Sequence, residues 1–147
     1  MFEPVKDIIN RSKSMNMNYF VSNILNQDFI KYLIISLNTD NQLYNEGIDI
    51  NSQVVGYYSH TYRAIDGHTK YANNHYDFLD SGEFFRSFKV QVYRTYFVIG
   101  ANTHKMEDTP QVNEGKDLVG LTETSLGVLS KAILEQLSLS LLKYLNG

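Results

Sequence analysis

The chain of 147 residues contains no cysteine. This absence excludes disulfides, thiolate zinc sites and a cysteine nucleophile, and it is neutral about the cellular compartment. An excess of basic charge is also missing, because the formal net charge is -3. No overall positive field attracts phosphate, so nucleic-acid binding would need a local basic patch. We therefore expect no sequence-specific nucleic-acid partner.

Long apolar runs are missing as well. The longest apolar stretches are interrupted by Asn, Gln, Asp or Lys, whereas a membrane span needs roughly 20 predominantly apolar residues. The first 15 residues carry charges of both signs instead of the continuous apolar core that a signal peptide has. We therefore predict synthesis in the cytoplasm and no membrane partner.

Motifs of catalysis and cofactor binding are absent too. No HExxH pair accompanies the four histidines, no GxSxG turn presents a serine, and Glu114-Gly115-Lys116 lacks the glycine and hydroxyl residues of a phosphate-binding loop. The histidines are His60, His68, His75 and His104. The sequence thus predicts no enzyme, no catalytic residue, no cofactor and no metal site.

What remains is the composition of one folded domain. A hydrophobic fraction of 43% with 20% charged residues is typical of a globular protein, and the length suits a single core. We predict one domain over residues 1–147, with residues 1–18 as a candidate N-terminal arm. Residues 102–120 are polar and too long for a simple connector, and we interpret them as an interface loop.

Apolar periodicity predicts the fold class. A helical period predicts a helix over about 22–37, and a second, longer stripe predicts a C-terminal helix that Thr122 opens. Between them, alternation over residues 88–93, a turn at Arg94 and Thr95, and the run 96–99 predict a hairpin whose second strand is buried on both faces. Residues 42–70 suggest turns and short extended pieces. The expected fold is α+β, an antiparallel β-hairpin or small sheet packed against an N-terminal helix and the C-terminal helix.

A short motif precedes the hairpin. Asp80 can accept hydrogen bonds from first-turn amides while Glu83 reaches back, as in a capping box. This predicts a short helix after Asp80 and a cost of about 1 kcal/mol for Asp80→Ala. The structural motif comprises Asp80, Ser81, Gly82, Glu83, Phe84 and Phe85.

The segment Phe78-Leu79-Asp80-Ser81-Gly82-Glu83-Phe84-Phe85-Arg86-Ser87-Phe88-Lys89-Val90 resembles the tail-completion or head-to-tail joining proteins of tailed bacteriophages. Ser81 stands where many of those proteins have threonine. The resemblance implies a structural virion protein of the neck or tail, made in the host cytoplasm, whose copies form a ring that closes the path between capsid and tail. It also implies a cyclic homo-oligomer and contacts with other neck or tail proteins.

The proposed interface loop has charges of both signs, which suit polar contacts to an adjacent subunit. They are Lys105, Glu107, Asp108, Glu114, Lys116 and Asp117. The alternative function is a small cytoplasmic binding or regulatory protein with a protein or nucleic-acid partner. Three cations near the hairpin, interleaved with two tyrosines, support that alternative, because single-stranded nucleic acid binds such mixtures. They are Arg86, Lys89 and Arg94, with Tyr93 and Tyr96.

Overall fold

A computed structural model describes residues 6–7, 10–11, 15–105 and 117–147 of the chain. Most of residues 1–14 of the candidate N-terminal arm (1–18) lie outside these residues. The described helices are α1 (Met17–Leu25), α2 (Asp28–Ser36), a π-helix (Leu37–Glu46), α3 (Glu83–Arg86), a 3₁₀ turn (Thr103–Lys105) and α4 (Glu123–Asn146). The strands are β1 (Tyr62–Arg63), β2 (Thr69–Lys70), β3 (Lys89–Tyr93) and β4 (Tyr96–Gly100).

The predicted helix over 22–37 corresponds to two helices, so the prediction is wrong at its start and in its middle but correct to within one residue at the end of α2. Helix α1 begins inside the candidate arm, where the Asn16 side chain caps it by accepting from the Asn18 amide at 3.1 Å. The helix breaks after Leu25, because the Asn26 side chain donates to the Ser22 carbonyl at 2.8 Å and Gln27 takes an extended conformation. Helix α2 then restarts at Asp28.

The π-helix continues the helical path from residue 37, where the predicted helix ended. Two buried amide side chains, Asn38 and Gln42, point away from their own backbone and bond to the chain near residue 120. Because tertiary partners satisfy these side chains, they do not compete for the helical carbonyls. The helical path therefore continues to Glu46 and ends at Gly47, whose φ of 64° is left-handed. The following residues to 70 form turns and the small β1–β2 pair, as predicted.

Strands β3 and β4 form the predicted hairpin. They pair antiparallel from Lys89 opposite Gly100 to Tyr93 opposite Tyr96, with the turn at residues 94–95. The second strand is not buried on both faces, however, since it alternates exactly as the first does. Apolar side chains face the core and the intervening residues face outward, because successive strand residues point to opposite sides. The inward residues are Val90, Val92, Phe97 and Ile99.

Two apolar clusters hold the elements together. The first joins α1, α2, the hairpin and Leu129 of α4, and the second packs Leu43 of the π-helix against Phe84 and neighbouring residues. Ile99 of β4 contacts both clusters, so the hairpin connects them. Helices at each end of the chain and two small antiparallel sheets confirm the predicted α+β class.

Helix α4 begins as predicted but is buried along only one side. Thr122 caps it, accepting from the Ser125 amide at 3.1 Å. Among the described residues, α4 is the one helix whose length and composition would allow it to cross a membrane, with a mean hydropathy of 1.3 over its most apolar 18 residues. Only 11% of that stretch is buried. The charges that interrupt α4 thus do not lower its mean hydropathy enough to exclude a membrane span. The expectation of no membrane partner stays a prediction.

Candidate interaction surface

The predicted motif lies at the start of α3, but Asp80 does not cap the helix. Gly82 occupies the N-cap position with a left-handed φ of 81°, and no side chain caps α3 from there. Ser81 takes the expected role in part, because its Oγ accepts from the Glu83 amide at 3.3 Å. The capping interpretation was wrong because the left-handed turn at Gly82 directs the chain away from Asp80. A glycine suits this turn, since other residues rarely adopt such a φ.

Asp80 is instead a buried carboxyl without a hydrogen-bond partner within the described chain. A polar group that is buried without a hydrogen bond destabilises a fold by roughly 1–3 kcal/mol. The sign of the expected mutational effect is therefore reversed from the sequence-based prediction.

We expect Asp80→Ala to raise the free energy of unfolding by about 1 kcal/mol, because it removes the unsatisfied carboxyl. Ser81→Ala is the matched control and should lower stability slightly, since Ser81 bonds to the Glu83 amide. Urea denaturation of both variants measures the difference. A destabilised Asp80→Ala variant would show that the carboxyl has a stabilising partner in solution.

An ion pair beneath the motif connects it to the β1–β2 sheet. The Lys70 ammonium lies 2.7 and 2.8 Å from the two carboxylate oxygens of Asp77 and also donates to the Leu79 carbonyl. The Lys70 side chain is only 2% exposed, against 25% for Asp77. The Tyr58 hydroxyl donates to Asp77 at 3.0 Å. Burial, together with the Asp77 charge, raises the pKa of Tyr58 above its usual range, so the phenol remains a donor.

This network surrounds a strained residue. Phe78, buried in the second cluster, has a φ of 59°, a conformation that bulky residues rarely adopt. Lys70 binds the residues on both sides of it, and the Leu79 amide donates back to Asp77 at 3.0 Å. Strain of this kind persists only where surrounding contacts hold it. We infer that the ion pair fixes the direction in which the chain enters α3.

A second link sets α3 against the hairpin. The Ser87 hydroxyl donates to the Phe84 carbonyl at 2.6 Å and accepts from the Asn102 amide at 2.8 Å. Between α3 and the outward side of the hairpin lies an open groove of about 1030 Å³. Val98 lines it together with the charged residues Glu83, Arg86 and Lys89, so the groove combines apolar surface with two cations and one carboxylate.

The outward face of the hairpin continues from this groove to the turn. Tyr93 and Tyr96 stack there with ring centroids 5.3 Å apart, and Val98 is 49% exposed. The hairpin is a sheet of two strands, and within the described residues neither outer edge pairs with a further strand. We call the groove, this face and these edges the hairpin surface.

The structure places few of the predicted loop charges. Glu107, Asp108, Glu114 and Lys116 lie outside the described residues, and Lys105 ends the 3₁₀ turn. Asp117 is exposed, and its carbonyl accepts from the Ile50 amide at 2.8 Å. Their assignment to an interface stays a prediction.

The histidines do not converge in the described chain. Both ring nitrogens of His75 lie within 2.9 Å of carbonyl oxygens, those of Tyr76 and Asn45, so this residue links the end of the π-helix to the β1–β2 region. Among the described residues, no group of three or more His, Asp or Glu side chains is placed to hold a metal ion.

Comparison of the chain with protein-family models, with curated proteins and with solved structures found no significant match.

Proposed function

We propose that the chain is a structural subunit of a tailed-bacteriophage virion, in which copies form a closed ring in the neck or tail that joins or completes capsid and tail. The similarity of residues 78–90 to joining proteins supports this assignment. The observation that carries it is the hairpin surface, because Arg86 and Lys89 of the segment 78–90 line its groove.

The hairpin surface suits the kind of contact that closes a ring. A ring of more than two copies needs a heterologous interface, in which one patch meets a different patch on the next copy. Unpaired strand edges offer backbone donors and acceptors to a neighbouring chain. The hairpin supplies such edges beside the exposed Val98. Two cations against the one carboxylate of Glu83 leave the groove with a small positive charge that a net-acidic neighbour can complement.

Genetic complementation tests the proposal. A phage that lacks this chain should accumulate capsids and tails that are not joined, and the parent gene should restore infective particles. We expect Val98→Lys to fail in complementation, since it places a third cation in the groove. Val54→Lys should complement, because Val54 is similarly exposed, 44% against 49%, but lies far from the hairpin in the sequence.

Two outcomes would contradict the proposal. One is the absence of the chain from purified particles by mass spectrometry. The other is full complementation by Val98→Lys with the variant present in the particle at the parent's level.

The second candidate function is a binding or regulatory protein with a nucleic-acid partner. The stacked Tyr93 and Tyr96, with Arg94 in the turn between them, favour it, because bases stack on aromatic rings beside cations. Binding of a single-stranded oligonucleotide that weakens steeply with salt and is lost in Tyr93→Ser would support this candidate. No binding at low salt would remove it.

A further inference from the structure

Helix α4 carries a second exposed surface, separate from the hairpin. The helix has 24 residues and packs on α1 and α2 through Leu129 and its neighbours. Large apolar side chains nevertheless stay exposed elsewhere around the helix. A helix that is apolar on more than one side is normally covered on more than one side. The exposed apolar residues are Leu126, Val128, Leu134, Leu139 and Leu142.

Three of these apolar residues form one continuous stripe with two exposed charged residues. At 3.6 residues per turn, five exposed residues of α4 fall within an arc of about 80°. Apolar side chains occupy both ends of the stripe, and one cation and one anion occupy its middle. The residues are Val128, Lys131, Glu135, Leu139 and Leu142, and we call them the α4 stripe.

The order of charges along the stripe indicates what covers it. If two copies of α4 packed in parallel, Lys131 would face Lys131 and Glu135 would face Glu135, and like charges repel. If they packed antiparallel about a point near residue 133, each Lys131 would face the Glu135 of the other copy. The same register places each Val128 beside the other copy's Leu139. Charge placement of this kind sets the orientation of paired helices.

We propose that the α4 stripe binds the α4 stripe of a second copy, antiparallel and around a two-fold axis near residue 133. The interface is isologous, because the same patch serves both copies. It is separate from the hairpin surface and does not rest on the proposed virion function. A subunit can therefore use both surfaces at once.

A lipid bilayer is the other occupant that the hydropathy of α4 allows. Lys131 and Glu135 lie on either side of the middle of the helix, so a spanning α4 would place both charges near the bilayer centre. Charged side chains are costly there. The same two residues that oppose a membrane span thus supply complementary pairs in the antiparallel dimer.

Disulfide cross-linking tests the geometry directly, because the chain has no cysteine of its own. Val128→Cys and Leu139→Cys are made separately, mixed and oxidised. We expect a cross-linked dimer in the mixture and little in either variant alone. Equivalent positions in the antiparallel pair are about 16 Å apart along the axis at 1.5 Å per residue, whereas a disulfide needs α-carbons within about 7 Å.

Sedimentation equilibrium with a matched pair of substitutions tests the surface, with every variant made in a Val98→Lys background so that the hairpin surface does not assemble. Leu134 and Leu139 are both 61% exposed on α4, but their five-residue spacing sets them about 140° apart around the helix. Leu139→Glu should weaken the dimer about ten-fold or more, and Leu134→Glu should leave it nearly unchanged. Lys131→Glu should also weaken it, and adding Glu135→Lys should restore it.

Three results would overturn the proposal. Cross-linking of Val128→Cys alone, equal to that of the mixture, would show parallel pairing. Equal losses in Leu134→Glu and Leu139→Glu would show general apolar association, and recovery of the parent chain on lipid vesicles without a soluble dimer would show that the bilayer covers α4. If the Val98→Lys variant fails to assemble particles but still forms the α4 cross-link, the hairpin surface and the α4 stripe act independently of each other.

Discussion

Lys70→Met should lower the free energy of unfolding by about 3 kcal/mol. Removing one partner of a buried ion pair costs about 3–5 kcal/mol, because it leaves an uncompensated charge. We expect the lower end of that range, since the Asp77 side chain keeps 25% of its exposure to water. The substitution also leaves the Leu79 carbonyl without its ammonium donor. Urea denaturation measures the loss, and the slope of the free energy of unfolding against urea concentration should be the same in the variant as in the parent.

Lys89→Met is the control for this prediction, because Lys89 is an exposed lysine of β3. Its effect on stability should stay within about 0.5 kcal/mol. The strain at Phe78 gives a second readout, since loss of the ion pair should speed amide hydrogen exchange in α3 and at Phe88. If Lys70→Met matches Lys89→Met in stability and exchange, Lys70 does not hold Phe78 and the motif in place.

Asn38→Ala should cost about 2–4 kcal/mol, because two backbone groups lose their partner. The buried Asn38 side chain donates to the Leu118 carbonyl and accepts from the Gly120 amide, each at 2.8 Å. Gln42 makes a parallel pair of bonds, to the Gly120 carbonyl and from the Thr122 amide, each at 2.9 Å. The side-chain amides of Asn38 and Gln42 thereby join the π-helix to the start of α4.

Asn41→Ala is the matched control, since Asn41 is exposed in the same π-helix. We expect its effect to stay within about 0.5 kcal/mol. Gln42→Ala should resemble Asn38→Ala and should also loosen the Thr122 cap of α4. Equal stability of the Asn38 and Asn41 variants in denaturant would mean that the π-helix is not tied to the chain near residue 120.

Local patterns were sufficient for the elements whose partners are close in the sequence. Alternation predicted β3, a short apolar run predicted β4, the polar turn predicted their connection, and Thr122 predicted the start of α4. These features depend on neighbouring residues, which a single sequence displays directly. Their sum correctly predicted the α+β class.

Features that depend on distant partners were missed. The helix was predicted to end at residue 37, because the partners that hold Asn38 and Gln42 in the continuing helical path lie about 80 residues away in the sequence. Likewise, Asp80 resembled a cap because nothing in the sequence shows that Gly82 turns the chain before α3.

The candidate surfaces were predictable only in part. The cations and tyrosines around the hairpin were visible in the sequence, but the groove between α3 and β4 requires the Ser87 contacts to Phe84 and Asn102. No pattern in the sequence indicated the ion pair of Lys70 and Asp77, because a lysine in a polar segment is normally solvated. The exposed side of α4 could not be predicted, since a hydropathy pattern does not show how many neighbours surround a helix.

The mass of the purified full-length chain in solution tests the central claim most directly, namely that the protein acts by assembling through the hairpin surface. Light scattering coupled to size-exclusion chromatography should be applied to Leu139→Glu, in which pairing through the α4 stripe is weakened. The account predicts one species whose mass is a whole multiple, greater than two, of the 16.9 kDa chain, and a single 16.9 kDa species when Val98→Lys is added. A monomer for Leu139→Glu at all accessible concentrations, or an unchanged oligomer after Val98→Lys, would contradict it.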